Sequence, residues 1–306
     1  MPHSVKLSAW WLVLPALAGL LFFLDRPRSR HPGHHAEWLA AKDVTLRTVR
    51  AGRGSPTLLL LHGFGESLFG WRAVVDPLST RFTVVAPDLP GFGGSGKPSS
   101  GYDLGSMTDR LADFVDRWTA GPLVVVGHSM GGELAASLAL ARPERIKALV
   151  LIAPAGWSVG LGGIADTMYP EKARAIGWYL SSRAFILPEH DPDWLAEPDS
   201  AADYTLVGDA AYRRAASLVL EEFDFKGFRN RFAEIRQPTL LLWGTRDPVV
   251  PYAIADSLAR TIPCARLVSF EGAFHRPQVE IPDTVVATLR RFADHPTCPE
   301  GAGQPH

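Results

Sequence analysis

The chain predicts an α/β fold, a mostly parallel sheet with helices on both faces and a helical insertion ahead of its last two strands. Three observations carry this. Short apolar runs alternate with helix-length amphipathic segments, a pattern that covers both faces of a sheet. The stretch Gly127-His128-Ser129-Met130-Gly131 stands between an apolar run and a run of helix formers. An acid, Asp247, and a histidine, His275, each follow a later apolar run. With 306 residues, 46% of them hydrophobic, the chain can bury one large core and still carry an insertion.

At the N-terminus, Leu7 to Leu24 is an 18-residue stretch without charge. At about 1.5 Å per residue it just spans a hydrocarbon core of about 30 Å. It is read as an uncleaved, single-pass membrane anchor over residues 1–24. The rival is a secretory signal peptide with Lys6 as its basic end and Ala16-Leu17-Ala18 as its cleavage signal. Against it, Leu20 to Leu24 continues apolar beyond that site. Arg26, Arg28 and Arg30 outnumber Lys6 plus the terminal amine, a slight lean toward the cytoplasmic face for the rest of the chain. Residues 25–40 read as a polar tether broken by Pro27, Pro32 and Gly33. Its histidines His31, His34 and His35 have no Cys or carboxylate at a ligand spacing, so a solvated linker is preferred to a metal site.

Beyond the tether, strands are expected near 44–49, 57–61, 82–86, 122–126 and 148–152, then 239–243 and 266–270. Thr57-Leu58-Leu59-Leu60-Leu61 and Leu123-Val124-Val125-Val126 show the reason: they are continuously apolar and too short for core helices. Helical patterns fall near 69–79, 105–119, 129–141, 251–261 and 282–293. Residues 41–154 and 237–295 therefore make the core, and 296–306 a tail. Between Pro154 and Arg236 the alternation stops, and residues 155–236 are rich in helix formers and aromatics, among them Trp157, Met168 and Trp178.

The chemistry starts at Ser129. A buried strand entering a helix through Gly-x-Ser-x-Gly is a nucleophile elbow, a turn so tight that its glycines keep bulk away while the serine hydroxyl is lifted above the sheet. A free hydroxyl is a poor nucleophile, so a histidine must take its proton and an acid must orient that histidine. Asp247 and His275 stand past the C-terminal ends of strands, where open parallel sheets place functional groups. The order Ser, Asp, His is the order that accompanies this elbow. Charge developing on a substrate oxygen needs backbone N–H donors, and those of Phe64, after the strand 57–61, and Met130 are the expected pair.

On these residues the chain resembles the α/β-hydrolase superfamily over about residues 41 to 295. The motifs are His62-Gly63, Asp88-Leu89-Pro90-Gly91-Phe92-Gly93-Gly94-Ser95, Gly127 to Gly131, Gly244 to Asp247 and Phe274-His275. The resemblance implies Ser129 as nucleophile, His275 as base and acid, and Asp247 as the group that orients it. It also implies that residues 155–236 are a helical cap over the site, with Trp157, Met168 and Trp178 as candidate substrate contacts. Ala153-Pro154-Ala155-Gly156-Trp157 is similar to lipase-type esterases and monoacylglycerol lipases, so lipid-like acyl esters are the expected substrates. No metal or organic cofactor is needed, and the expected partners are a small-molecule ester or lipid and the membrane.

Other readings are weighed against this one. Gly91 to Lys97 fits a phosphate-loop pattern, but Pro98 stands where a hydroxyl should hold magnesium, and Ser99-Ser100-Gly101 delays any helix. A net charge of −1 gives no long-range attraction to nucleic acid. Asp88 and Asp166 are alternative acids, but neither follows a strand as Asp247 does. His62 and His128 are read as supports of rigid backbone, and Cys264 and Cys298 are too few to define a disulfide framework or a redox compartment. A serine hydrolase of carbon–carbon bonds in ring-fission products and a non-catalytic, membrane-tethered binding protein stay open as alternatives. Epoxide hydrolases and haloalkane dehalogenases need an aspartate where Ser129 stands.

Overall fold

The computed structural model describes residues 34–157 and 210–299. Their strands are β1 (Ala36–Ala41), β2 (Val44–Ala51), β3 (Thr57–Leu61), β4 (Thr83–Pro87), β5 (Leu123–His128), β6 (Ile146–Ile152), β7 (Thr239–Gly244) and β8 (Ala265–Phe270). They form one sheet in the order β1-β2-β4-β3-β5-β6-β7-β8. The pairs β1/β2 and β2/β4 are antiparallel and all later pairs are parallel. The helices are α1 (Arg72–Ser79), α2 (Leu104–Trp118), α3 (Met130–Ala141), α4 (Ala210–Glu222), α5 (Ala255–Thr261), α6 (Pro277–Glu280) and α7 (Pro282–Asp294).

Successive side chains of a strand point to opposite faces, so a strand covered on both sides must be apolar throughout. In β3, Leu59 and Leu61 join the core under α2, α3 and α5, while Leu58 and Leu60 join the core under α1 and α7. Leu123 and Val125 of β5 divide from Val124 and Val126 in the same way. This two-sided burial makes the central strands readable as apolar runs.

The edge strand β1 takes up the end of the stretch read as tether, residues 36–40, and continues to Ala41. It pairs with β2 from Ala36↔Val49 to Ala41↔Val44, across a turn in which Lys42 has φ 55°. Its outer face is open, with Trp38 50% exposed, so its sequence lacks the continuous apolar character of β3 or β5. Further along, α2 starts at Leu104 behind an Asp103 cap whose carboxylate accepts the Ser106 N–H at 3.0 Å, well past the glycine-rich loop. That loop is held from within: Asp88 accepts from Arg47 Nε at 2.6 Å, the Leu68 N–H at 2.7 Å and the Gly94 N–H at 2.8 Å.

Cys264 and Cys298, left undecided by the sequence, are joined in a disulfide with Cα atoms 4.9 Å apart. It closes a sequence separation of 34 residues and fastens the segment after α7 to the start of β8. Closing a loop of that length in the unfolded chain is worth about 3–4 kcal/mol. Reduction, or Cys298→Ser, should therefore lower Tm by roughly 5 °C in differential scanning calorimetry. An unchanged Tm would count against the bridge.

The expected membrane placement does not stand. Among the described residues no helix is long and apolar enough to cross a membrane. The longest of them, α2, has 15 residues and carries Asp109, Arg110, Asp113, Asp116 and Arg117. At about 1.5 Å per residue it falls short of a bilayer core, and its charges exclude that environment. The anchor segment 7–24 itself lies outside the described residues.

Candidate active site

Ser129 sits between the end of β5 and the first residue of α3 at φ 52° and ψ −118°. A side chain held at positive φ is costly and persists only where its surroundings enforce it. The enforcement is local. Ser129 N–H donates to the Ile152 carbonyl at 3.0 Å, and the Ser129 carbonyl accepts from Gly132 and Ala155 at 2.9 Å each. A Cβ on Gly127 would run into the Gly131 carbonyl, and one on Gly131 into the carbonyls of Leu61 and His62. Both motif glycines are thus required by close backbone approach across the turn.

Two loops meet this elbow. After β3, Gly63 to Glu66 forms a turn closed by Glu66 N–H to the Gly63 carbonyl at 3.3 Å, with Phe64 at its corner. Gly63 lies so close that a Cβ there would stand 3.2 Å from Ser129 Cβ. The Met130 N–H is the first of α3 and has no acceptor within its own helix. The two amides expected as donors therefore belong to backbone beside Ser129.

The acid and the histidine are brought together. Thr245 N–H donates to the Phe270 carbonyl at 3.1 Å and Arg246 N–H to the Ala273 carbonyl at 2.9 Å, lashing the turn after β7 to the loop after β8. Gly244 is needed at that crossing, since a Cβ would strike the carbonyls of Ala273 and Phe274. Asp247 Oδ1 accepts the Val249 and Val250 N–H groups at 2.8 and 2.9 Å. Its Oδ2 accepts from His275 Nδ1 at 2.8 Å, so in the neutral ring Nε2 is the nitrogen that carries the lone pair. Burial lowers the His275 pKa below its ordinary value, against the opposing pull of the Asp247 hydrogen bond. The Glu280 carboxylate braces the loop on either side, accepting from Phe274 N–H at 2.7 Å and Arg276 N–H at 2.8 Å. His128, the neighbour of Ser129, lays its ring 4.7 Å from that of His275 and bonds through Nε2 to the His275 carbonyl at 2.9 Å.

An apolar wall stands beside the Phe64 turn. Phe64 packs edge-on to Phe92 at 5.6 Å and to Phe225 at 6.3 Å, while Tyr212 of α4 donates its hydroxyl to the Gly65 carbonyl at 3.2 Å. Trp157 packs against Phe232 at 6.3 Å beneath the Arg229 guanidinium at 4.9 Å. Met168 and Trp178 lie outside the described residues.

Some groups escaped the sequence reading. Glu66, Arg276 and Glu280 meet their partners only through folding, and the one local signal is the nearness of Arg276 and Glu280 to His275. Glu133, one turn into α3, is fully buried, and among the described residues neither oxygen has a hydrogen-bond partner. Burial, helped by the nearby Asp224 charge, raises its pKa well above the usual carboxylate range.

Comparison with known proteins agrees with this architecture. A family model described as alpha/beta hydrolase fold matches residues 56–169 and 166–282. The chain is 32% identical to the dihydrolipoyllysine-residue acetyltransferase component of an acetoin cleaving system from Cupriavidus necator, over 81% of this chain and 66% of that one. It is 30% identical to a pimeloyl-[acyl-carrier protein] methyl ester esterase from Edwardsiella ictaluri, over 79% of this chain and 95% of that one. Among solved structures, one described as a membrane phospholipase A and bacterial virulence factor superposes with a TM-score of 0.67 at 27% identity, covering 93% of this chain and 96% of that one. With its parallel sheet, its serine elbow and these matches, the chain belongs to the α/β-hydrolase family.

Proposed function

We propose that the chain is a serine hydrolase that cleaves carboxylic esters through an acyl-enzyme, with lipid-like acyl esters such as monoacylglycerols as its substrates. The observation that carries the proposal is the His275–Asp247 pair at 2.8 Å, packed through His128 against a Ser129 held at φ 52°. In this mechanism His275 Nε2 removes the proton from Ser129 Oγ as the oxygen attacks the ester carbonyl. Asp247 keeps the ring in the required tautomer and stabilises the imidazolium. The amides of Phe64 and Met130 receive the oxyanion, each worth on the order of 3 kcal/mol. His275 then protonates the departing alcohol, and later activates the water that hydrolyses the acyl-enzyme. The mechanism calls for no metal or organic cofactor.

The preference for acyl esters rests on the aromatic wall of Phe64, Phe92 and Phe225 and on the cap residues expected to face the site, Trp157, Met168 and Trp178. Two relatives named as a methyl ester esterase and a phospholipase support an ester as the bond cleaved.

A fluorophosphonate probe and nitrophenyl esters of increasing acyl length test this. The intact chain should label, and kcat/KM should rise from acetyl to medium-chain acyl groups. Failure to label would favour a binding protein, and turnover of ring-fission dienes without ester turnover would favour carbon–carbon hydrolysis.

A further inference from the structure

We propose that Glu66, His128 and Arg276 form a buried positioning network in which His128 is an imidazolium donating from both ring nitrogens, tying the loop of Phe64 to the loop of His275. Its effect on rate rests on the serine-hydrolase reading above, whereas the protonation of His128 stands apart from it.

His128 is fully buried, and each of its nitrogens faces an atom that accepts. Nδ1 lies 3.1 Å from Glu66 Oε2 and Nε2 lies 2.9 Å from the His275 carbonyl oxygen. A neutral imidazole has one N–H and one lone pair, so one of these contacts would set lone pair against lone pair. Two assignments avoid that: an imidazolium beside a carboxylate, or a neutral ring accepting from a protonated Glu66. The other neighbours of Glu66 decide between them. Oε2 also accepts the Gly63 N–H at 3.0 Å, and Oε1 pairs with Arg276 Nε at 2.9 Å. Burial opposes the Glu66 charge, yet Arg276, His128 and the Gly63 amide hold its carboxyl well below the usual range. A carboxyl group that accepts a backbone amide and pairs with an arginine at 2.9 Å is the ionised partner, which places the proton on the ring.

His62, on the other side of Gly63, shows the contrast. Its Nδ1 donates to the Gly63 carbonyl at 2.8 Å and its Nε2 accepts the Leu89 N–H at 2.9 Å, so its partners require one donor and one acceptor. Burial accordingly holds His62 neutral. Among the described residues the charged groups around His275 are then three carboxylates, Glu66, Asp247 and Glu280, and two cations, His128 and Arg276.

The consequence is mechanical. Glu66 grips the amide next to Phe64, His128 precedes Ser129 and holds the His275 carbonyl through its Nε2–H, and Arg276, the residue after His275, pairs with Glu66. Three loops that carry the oxyanion donor, the nucleophile and the base are locked at one ion cluster. A buried ion pair adds little stability over apolar packing, which fits a role in placing groups. None of the three touches substrate in the proposed mechanism.

The test is ¹⁵N-detected histidine NMR on the full chain at about pH 7.5, with His128 assigned by His128→Gln. Both ring nitrogens of His128 should be protonated, and Glu66→Gln should turn the ring neutral. Glu66→Gln should also lower kcat for a short nitrophenyl ester by up to about 100-fold, since misplacement of about 1 Å suffices for that, while KM stays nearly constant. The double variant Glu66→Gln/His128→Gln should be no slower than the slower single variant. A neutral His128 in the native chain overturns the network, as does a folded Glu66→Gln with native kcat. If Glu66→Gln does not fold, the native ring signal decides alone. A chain that no fluorophosphonate labels overturns the hydrolase reading instead, and the ring signal still judges the network.

Discussion

Replacing Ser129 with alanine should abolish fluorophosphonate labelling and lower kcat for nitrophenyl esters by about 10⁶-fold, the loss seen when a triad nucleophile is removed. The fold should be unaffected. Alanine carries the same Cβ as serine and meets the same surroundings at φ 52°, and the Ser129 side chain makes no capping hydrogen bond to α3. Thermal unfolding should accordingly shift by no more than about 1 kcal/mol equivalent. Slow residual turnover is expected, because the amides of Phe64 and Met130 would still bind an oxyanion delivered by water. Retained labelling in Ser129→Ala would place the reactive nucleophile elsewhere and remove the elbow from the chemistry.

What made this site readable is the two-sided burial of the sheet. Strands β3, β5 and β7 have continuous apolar centres because both faces are covered, so their ends, and the residues just beyond them, can be located from sequence alone. His62-Gly63, Ser129 and Asp247 all lie at such ends. The outer strands tell less: β1 exposes Trp38 and Glu37, and β8 is half-covered along most of its length, so their patterns are mixed. Glu66 and Arg276 were invisible for a different reason. Each is an ordinary polar loop residue until β3, β5 and β8 align in the sheet and bring the loops that follow them together. No spacing rule connects residues that far apart in the chain. The glycine at 244 is similar, because its need for a missing side chain arises only from the crossing of the Ala273-Phe274 backbone.

The second large effect concerns Asp247. Asp247→Asn keeps the size of the side chain and leaves Oδ1 able to accept from Val249 and Val250, so the turn after β7 should hold. The amide, however, presents an N–H where Oδ2 accepted from His275 Nδ1, which drives the ring toward the tautomer with its proton on Nε2. That nitrogen can then no longer take the serine proton, and kcat should fall by about 10⁴-fold. The pH profile separates this from a loss of structure. The base works only when neutral, so activity in the acid limb falls as pH drops through the His275 pKa. Burial places that limb below the usual histidine value of about 6.5. Because the Asp247 hydrogen bond raises the His275 pKa against burial, its loss should move the limb of kcat/KM further down in pH while the plateau drops. An acid limb that stays in place, or moves up, would show that Asp247 does not act on the titrating base. Full activity in Asp247→Asn would remove it from the mechanism and reopen the choice of acid.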